Sequence, residues 1–177
     1  MAEAYIVAAV RTAGGRRDGK LKGWHPADLA GQVINELLDR SGVDPEAVED
    51  VIMGCVGQAG EQAANIGRNA VLSSRLPESV PATSVDRQCG SSQQANHMIH
   101  NMIHAGVIDS GMACGVEHMS KVWLGANVPR LGEGADVTFV NGSSKPGDFA
   151  LDMPDQFGAA ERIADRRGIT REDVDYL

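Results

Sequence analysis

The chain has 177 residues, enough for one sizeable core, and its 16 basic against 24 acidic residues leave a net charge of −8. That balance argues against a general nucleic-acid binder and gives an anionic ligand no long-range attraction, so any phosphate site has to be local. No apolar run approaches the roughly 18 residues of a membrane span, and the opening Met1-Ala2-Glu3-Ala4-Tyr5 lacks the basic-then-apolar order of a secretory signal, so the expected compartment is the cytoplasm.

Tyr5 to Val10 is a short β-prone run that predicts a first strand, broken by the basic, glycine-rich stretch Arg11 to Gly23. From Pro26 the residues Leu29, Ala30, Val33, Ile34, Leu37 and Leu38 recur at helical spacing, with Pro26 near the start and Gly42 just past the end. Val51, Ile52, Met53 and Val56 predict a second strand, followed by the glycine-rich turn Gly54 to Gly60 and a helix from about Glu61 to Ser74. Pro81 to Arg87 supplies a third strand. The helix beyond it carries Ala95, Met98, Ile99, Met102 and Ile103 on one stripe, and Cys89 is placed as its cap. Ile108 to Val116 reads as a fourth strand, which makes the order βαβαβαβ, the pattern of a mostly parallel sheet covered by helices.

After Ser120 the texture turns to Gly, Pro, Asn and Ser without period, so 121–152 is expected to be irregular. A helix from Asp155 to Arg167 follows, stopped by Gly168. Thr170-Arg171-Glu172-Asp173 then resembles a capping box with Asp in place of Glu, opening another helix. Isolated helices shorter than about 12 residues are marginal, so the stop at Leu177 reads as a cut.

The candidate for chemistry is Cys89. It stands in Arg87-Gln88-Cys89-Gly90-Ser91-Ser92, where a β-like run hands over to a helix whose positive dipole end stabilises a thiolate. Chain direction places it at the carboxyl end of its strand, where open α/β sheets bind ligands. Small residues at Gly90, Ser91 and Ser92 leave room for a carbonyl to approach. Cys55 and Cys114 lie in apolar strands and are expected to pack; the three thiols form no CxxC pair and offer no disulfide scheme. His97, His100 and His104 recur on the polar side of the Cys89 helix, and no carboxylate or Cys completes a metal set, so no metal is expected there.

Several segments together resemble the thiolase family. They are the Cys89 segment, Ala8-Ala9-Val10-Arg11-Thr12, the run Gly60 to Arg68, Cys114-Gly115-Val116-Glu117-His118-Met119-Ser120, and Ile169-Thr170-Arg171-Glu172-Asp173. The resemblance implies a thiolase-like layered α/β fold, with 1–120 as an incomplete amino-terminal domain and 121–177 as the start of a truncated loop domain. It also implies ping-pong acyl transfer through a thioester on Cys89: thiolysis of a 3-ketoacyl-CoA, or the reverse Claisen condensation. The Cys89 N–H would donate into an oxyanion hole.

By the same resemblance, Met153 and His118 are candidates to contact substrate. Coenzyme A is a substrate and no cofactor is expected. A homodimer or homotetramer is implied, with subunits meeting around Gly57 to Arg68 and the strand before Cys89. Thiolases carry their activating His, a second catalytic Cys and an Asn-Glu-Ala segment in their second half, and none of those motifs occurs here; His25-Pro26 lacks the glycines of the His motif. The family's amino-terminal sheet also takes a further strand from beyond the loop domain. A complementary carboxy-terminal half is therefore an expected partner. Ser92 stands where the family usually has Gly. Asp152 stands where several short-chain members have His, and that departure favours the degradative direction. The alternative is a non-catalytic acyl-CoA or sterol-carrier-like binding protein of the same fold.

Overall fold

The computed structural model describes residues 2–127, 148, 150, 152 and 155–176. The chain divides into two units, Met1–Arg130 and Leu131–Leu177.

In the first unit, helix α1 spans Pro26–Ser41. The His25 ring caps it by accepting the Ala27 N–H, and Gly42 ends it in the left-handed conformation at φ 67°. Strand β1 is Asp50–Gly54 and strand β2 Ala82–Val85, joined by helix α2, Ile66–Leu72. Helix α3, Ser91–His104, leads from β2 to strand β3, Gly111–Gly115. The three strands are parallel in the order β2-β1-β3. The β1-to-β2 and β2-to-β3 connections run in opposite directions along the sheet. Right-handed crossovers then put α2 and α3 on opposite faces.

Burial on β1 shows both faces covered. Val51 and Met53, each 0% exposed, join Ile34, Leu38, Ile66 and Val71 on the α1–α2 side, while Ile52 joins Ala95, Ile99 and Ile108 on the α3 side. A period of two along one strand thus feeds two cores. Each such side chain contributes about 1.5–3 kcal/mol of burial, against under about 1 kcal/mol for half-exposed ion pairs such as Arg75–Asp39. The layers hold the fold, and the surface charges decorate it.

Three expectations are corrected. Residues 5–10 form no strand, and Tyr5, Ile6 and Val7 are 72%, 84% and 79% exposed. A β-prone run becomes a strand only against a partner's N–H and C=O groups, and β1 is the one strand paired to β3 among the described residues. The helix expected from about Glu61 begins instead at Ile66, after a 3₁₀ turn at Gly60–Gln62. Ala64 and Asn65 interrupt it with φ of 55° and 60°. Asn65 is held there by long-range bonds: its Nδ2 donates to the Ala82 carbonyl at 2.8 Å and its Oδ1 accepts from the Ser84 hydroxyl at 2.8 Å. Lastly, Gly90, not Cys89, is the residue that caps α3.

In the second unit, helix α4 spans Gln156–Arg167 and helix α5 Arg171–Tyr176. Asp155 Oδ1 accepts the Phe157 and Gly158 amides at 2.9 and 3.0 Å. Gly168 stops α4 at φ 63°. The capping box with Asp forms as read: Asp173 accepts the Thr170 N–H at 2.8 Å, and the Thr170 hydroxyl accepts the Asp173 N–H at 3.2 Å. Most of the irregular stretch 121–152 lies outside the described residues.

Candidate active site

Cys89 emerges four residues beyond the end of β2 and directly before the cap of α3, and it is exposed. Two glycines on neighbouring strands let the helix end come this close to the sheet. A Cβ on Gly54 would lie 2.4 Å from the Ser92 nitrogen and 2.6 Å from the Ser91 carbonyl carbon. A Cβ on Gly115 would lie 1.9 Å from the Ser92 hydroxyl oxygen. The side chain at 92, serine in place of the family's usual glycine, thus fits because Gly115 has none. Its hydroxyl faces the sheet.

The other two thiols are unlike Cys89. Cys55 is 1% exposed, and burial first, then the Glu117 and Asp86 carboxylates, push its thiol up to about 12. Burial alone pushes the Cys114 thiol up to about 12; its sulfur lies 3.5 Å from Met53 Sδ. Both stay protonated at neutral pH and pack, as expected from the apolar runs around them.

Beside the Cys89 end of the sheet, the loop after β1 is organised by residues that sequence reasoning did not single out. The Glu117 carboxylate accepts the Val56 and Gly57 amides at 2.8 and 3.1 Å, and also Gln62 Nε2 at 3.0 Å. Gln62, fully buried, accepts the His118 N–H at 2.6 Å. A signal was present: a carboxamide in a glycine-rich turn and a carboxylate just past a strand are the groups that satisfy loop amides.

His118 is 7% exposed, and its Nε2 lies 3.0 Å from the Leu21 carbonyl, so it ties the Arg16–Leu21 loop to the sheet. No hydrogen bond joins it to Cys89 among the described residues. Its Nδ1 is buried without a hydrogen-bond partner among the described residues. Met153, the other candidate for substrate contact, lies outside the described residues. The His25 ring is engaged as a helix cap and stands 3.8 Å from Glu61. His100 and His104 stack with centroids 5.8 Å apart, and no group of three or more metal-ligating side chains occurs among the described residues.

A cavity of about 760 Å³ is elsewhere among the described residues: Ala8 and Val10 of the Ile6–Thr12 segment line it together with Met112, Cys114 and Val116 on and after β3. Cys89 does not line it. Leu29, Val33 and Leu37 of α1 line it as well. No described helix is long and apolar enough to cross a membrane.

A three-stranded parallel sheet covered by helices on both faces, with an exposed cysteine at a strand-to-helix turn, defines an α/β domain. Residues 4–177 match the family described as thiolase, N-terminal domain, and the chain belongs to the thiolase family. It is 42% identical to a steroid 3-ketoacyl-CoA thiolase, FadA6, of Mycobacterium tuberculosis, over 99% of this chain and 43% of that protein. It is 40% identical to a beta-ketoadipyl-CoA thiolase of Acinetobacter baylyi, over 100% of this chain and 46% of the relative. A 3-ketoacyl-CoA thiolase of Aliivibrio salmonicida is 39% identical over 99% and 43%. The chain thus spans under half the length of these relatives.

Proposed function

We propose that this chain supplies the acyl-accepting half of a thiolase active site, with Cys89 as the nucleophile. The observation that carries the reading is the contrast among the thiols: Cys89 is exposed at the amino end of α3, while Cys55 and Cys114 are packed and held protonated. In the degradative direction the Cys89 thiolate attacks the 3-keto carbon of a 3-ketoacyl-CoA. The bond between C2 and C3 breaks, and the leaving enolate takes a proton to become acetyl-CoA. The thiol of free CoA then attacks the acyl-cysteine and releases the shortened acyl-CoA. Condensation is the same path reversed.

The Cys89 N–H, at the end of α3, is suited to donate to the thioester oxygen as negative charge develops there. The acid and base for the enolate step, a His and a second Cys, belong to the complementary half. The cavity along β3 is where we place the further strand that the resemblance assigns to that half. Met153 and His118 remain candidates for the substrate wall on the resemblance alone. The names of the relatives support 3-ketoacyl-CoA as the substrate class. The open edge of β2 and the Gly57 to Arg68 segment are suited to contact a second copy, in a cytoplasmic homodimer or homotetramer.

The test is acetyl-CoA added to the protein as isolated, followed by intact and peptide mass spectrometry. An acetyl group on Cys89 that is lost in Cys89→Ser supports the reading. No adduct, with acetyl-CoA nevertheless bound, replaces it by the non-catalytic binding role.

A further inference from the structure

Gln88, the residue before Cys89, carries the strain of the turn. Its φ is 49°, a left-handed conformation that an L side chain adopts only when its surroundings enforce it. Its neighbours hold both of its peptide groups. Asp86 Oδ1 accepts the Gln88 N–H at 2.8 Å. The Ser91 hydroxyl accepts the Arg87 N–H at 2.9 Å and donates to the Gln88 carbonyl at 2.5 Å, and the Ser91 N–H reaches the same carbonyl at 3.1 Å. Asp86 is exposed, whereas Ser91 is 5% exposed. The serine bonds are therefore sheltered from competing water, and the aspartate bond is not.

We propose that Ser91 is a positioning residue for Cys89, acting through Gln88. The proposal rests on the reading of Cys89 as the nucleophile. One oxygen does two opposite jobs: it receives a proton from the amide on the strand side of Gln88 and gives one to the carbonyl on the Cys89 side. Only a hydroxyl does both from a single atom of this size. Alanine does neither. Without it, Gln88 relaxes toward negative φ, the peptide leading into Cys89 rotates, and the thiol no longer faces outward from the end of α3. The side chain that matters for aiming the nucleophile is thus two residues downstream of it, buried, and chemically inert itself.

The experiment uses the protein as isolated, with whatever completes it, and compares wild type with Ser91→Ala, Gln88→Gly and the double variant. Two rates are read: iodoacetamide modification of Cys89, mapped by peptide mass spectrometry, and acetyl transfer from acetyl-CoA. Ser91→Ala is expected to slow both about tenfold, with the loss in kcat and not in KM. Glycine adopts φ 49° without strain, so the double variant is expected to recover most of that loss, with Gln88→Gly alone as its reference. A serine that only stabilised the helix would not be rescued by a change at Gln88. Wild-type rates in Ser91→Ala, or a double variant as slow as Ser91→Ala, overturn the proposal. A wild-type protein that is alkylated at Cys89 but never acetylated strikes the proposed function instead, and the alkylation rates still decide the role of Ser91.

Discussion

Replacing Gly54 by alanine probes how tightly the reactive turn depends on the sheet beneath it. The new methyl would sit 2.4 Å from the Ser92 nitrogen, 2.6 Å from the Ser91 carbonyl carbon and 2.7 Å from the Ser92 Cα. All three are backbone atoms at the start of α3, so no side chain can swing away. Ordinary contact begins near 3.4 Å, and the end of the helix must retreat by about 1 Å, the difference between 3.4 and 2.4. Overpacking of this kind costs about 1–3 kcal/mol, and at about 2–4 °C per kcal/mol for a chain this size the melting temperature should fall by roughly 2–12 °C. A shift of about 1 Å in a reacting group can cost on the order of 100-fold in rate, so acylation of Cys89 should suffer more than stability does.

Gly115→Ala is the control. Its closest conflict is the Ser92 hydroxyl, and the next contacts, the Ser92 Cβ at 3.1 Å and the Gly54 carbonyl oxygen at 3.2 Å, need only small adjustments. The loss should be smaller than for Gly54→Ala, and Ser92→Gly should relieve it. Calorimetry and the rate of Cys89 modification read both effects. A Gly54→Ala protein with wild-type stability and wild-type reactivity at Cys89 would refute the reasoning.

Two further outcomes are expected. Ala64 holds φ 55° without being glycine, so Ala64→Gly should raise stability by up to about 1 kcal/mol, measured as a higher urea midpoint; a lower midpoint would mean that the methyl packs more than the backbone strains. In the second unit, bonds from the Gly158 and Phe157 amides hold the Asp155 carboxyl below its usual range, and bonds from Thr170 do the same for Asp173. A depressed carboxyl stabilises the fold above its unfolded pKa of about 3.9 and loses that contribution as pH falls through the folded value. The first turns of α4 and α5 should therefore fray below about pH 4, seen as a loss of hydrogen-exchange protection, relative to the intrinsic rate at each pH, at Gly158 and Asp173, with protection unchanged between pH 5 and 8.

Much of this architecture was legible because it is written locally. The stripes of α1 and α3 need only a period of 3.6, the Thr170–Asp173 box needs only four residues, and Cys55 and Cys114 declare their packing by the apolar runs they belong to. Two elements were misread because their causes lie elsewhere in the chain. The start of α2 is set by Asn65 reaching Ala82 and Ser84, and by Arg68, whose guanidinium donates to the Val80 and Glu78 carbonyls, both at 2.6 Å. Residues 5–10 carry a strand's composition without a strand's partner among the described residues. The same holds at the site: the position of Cys89 could be read from strand and helix periodicity, but Ser91 holding Gln88 and Glu117 gathering the Val56–Gly57 amides became visible only once the chain was folded.

The unequal treatment of the three thiols also sets how this protein meets oxidants. Peroxides and electrophiles act on thiolates, and Cys55 and Cys114, raised to about 12, offer almost none at neutral pH. Damage should therefore arrive in a single hit. Within this chain one equivalent of oxidant should be consumed quickly and the second slowly, because neither Cys55 nor Cys114 offers a thiolate to trap a sulfenic acid as an internal disulfide. The oxidation state of this chain's cysteines would then be set by one atom, repairable only by a thiol from outside the chain.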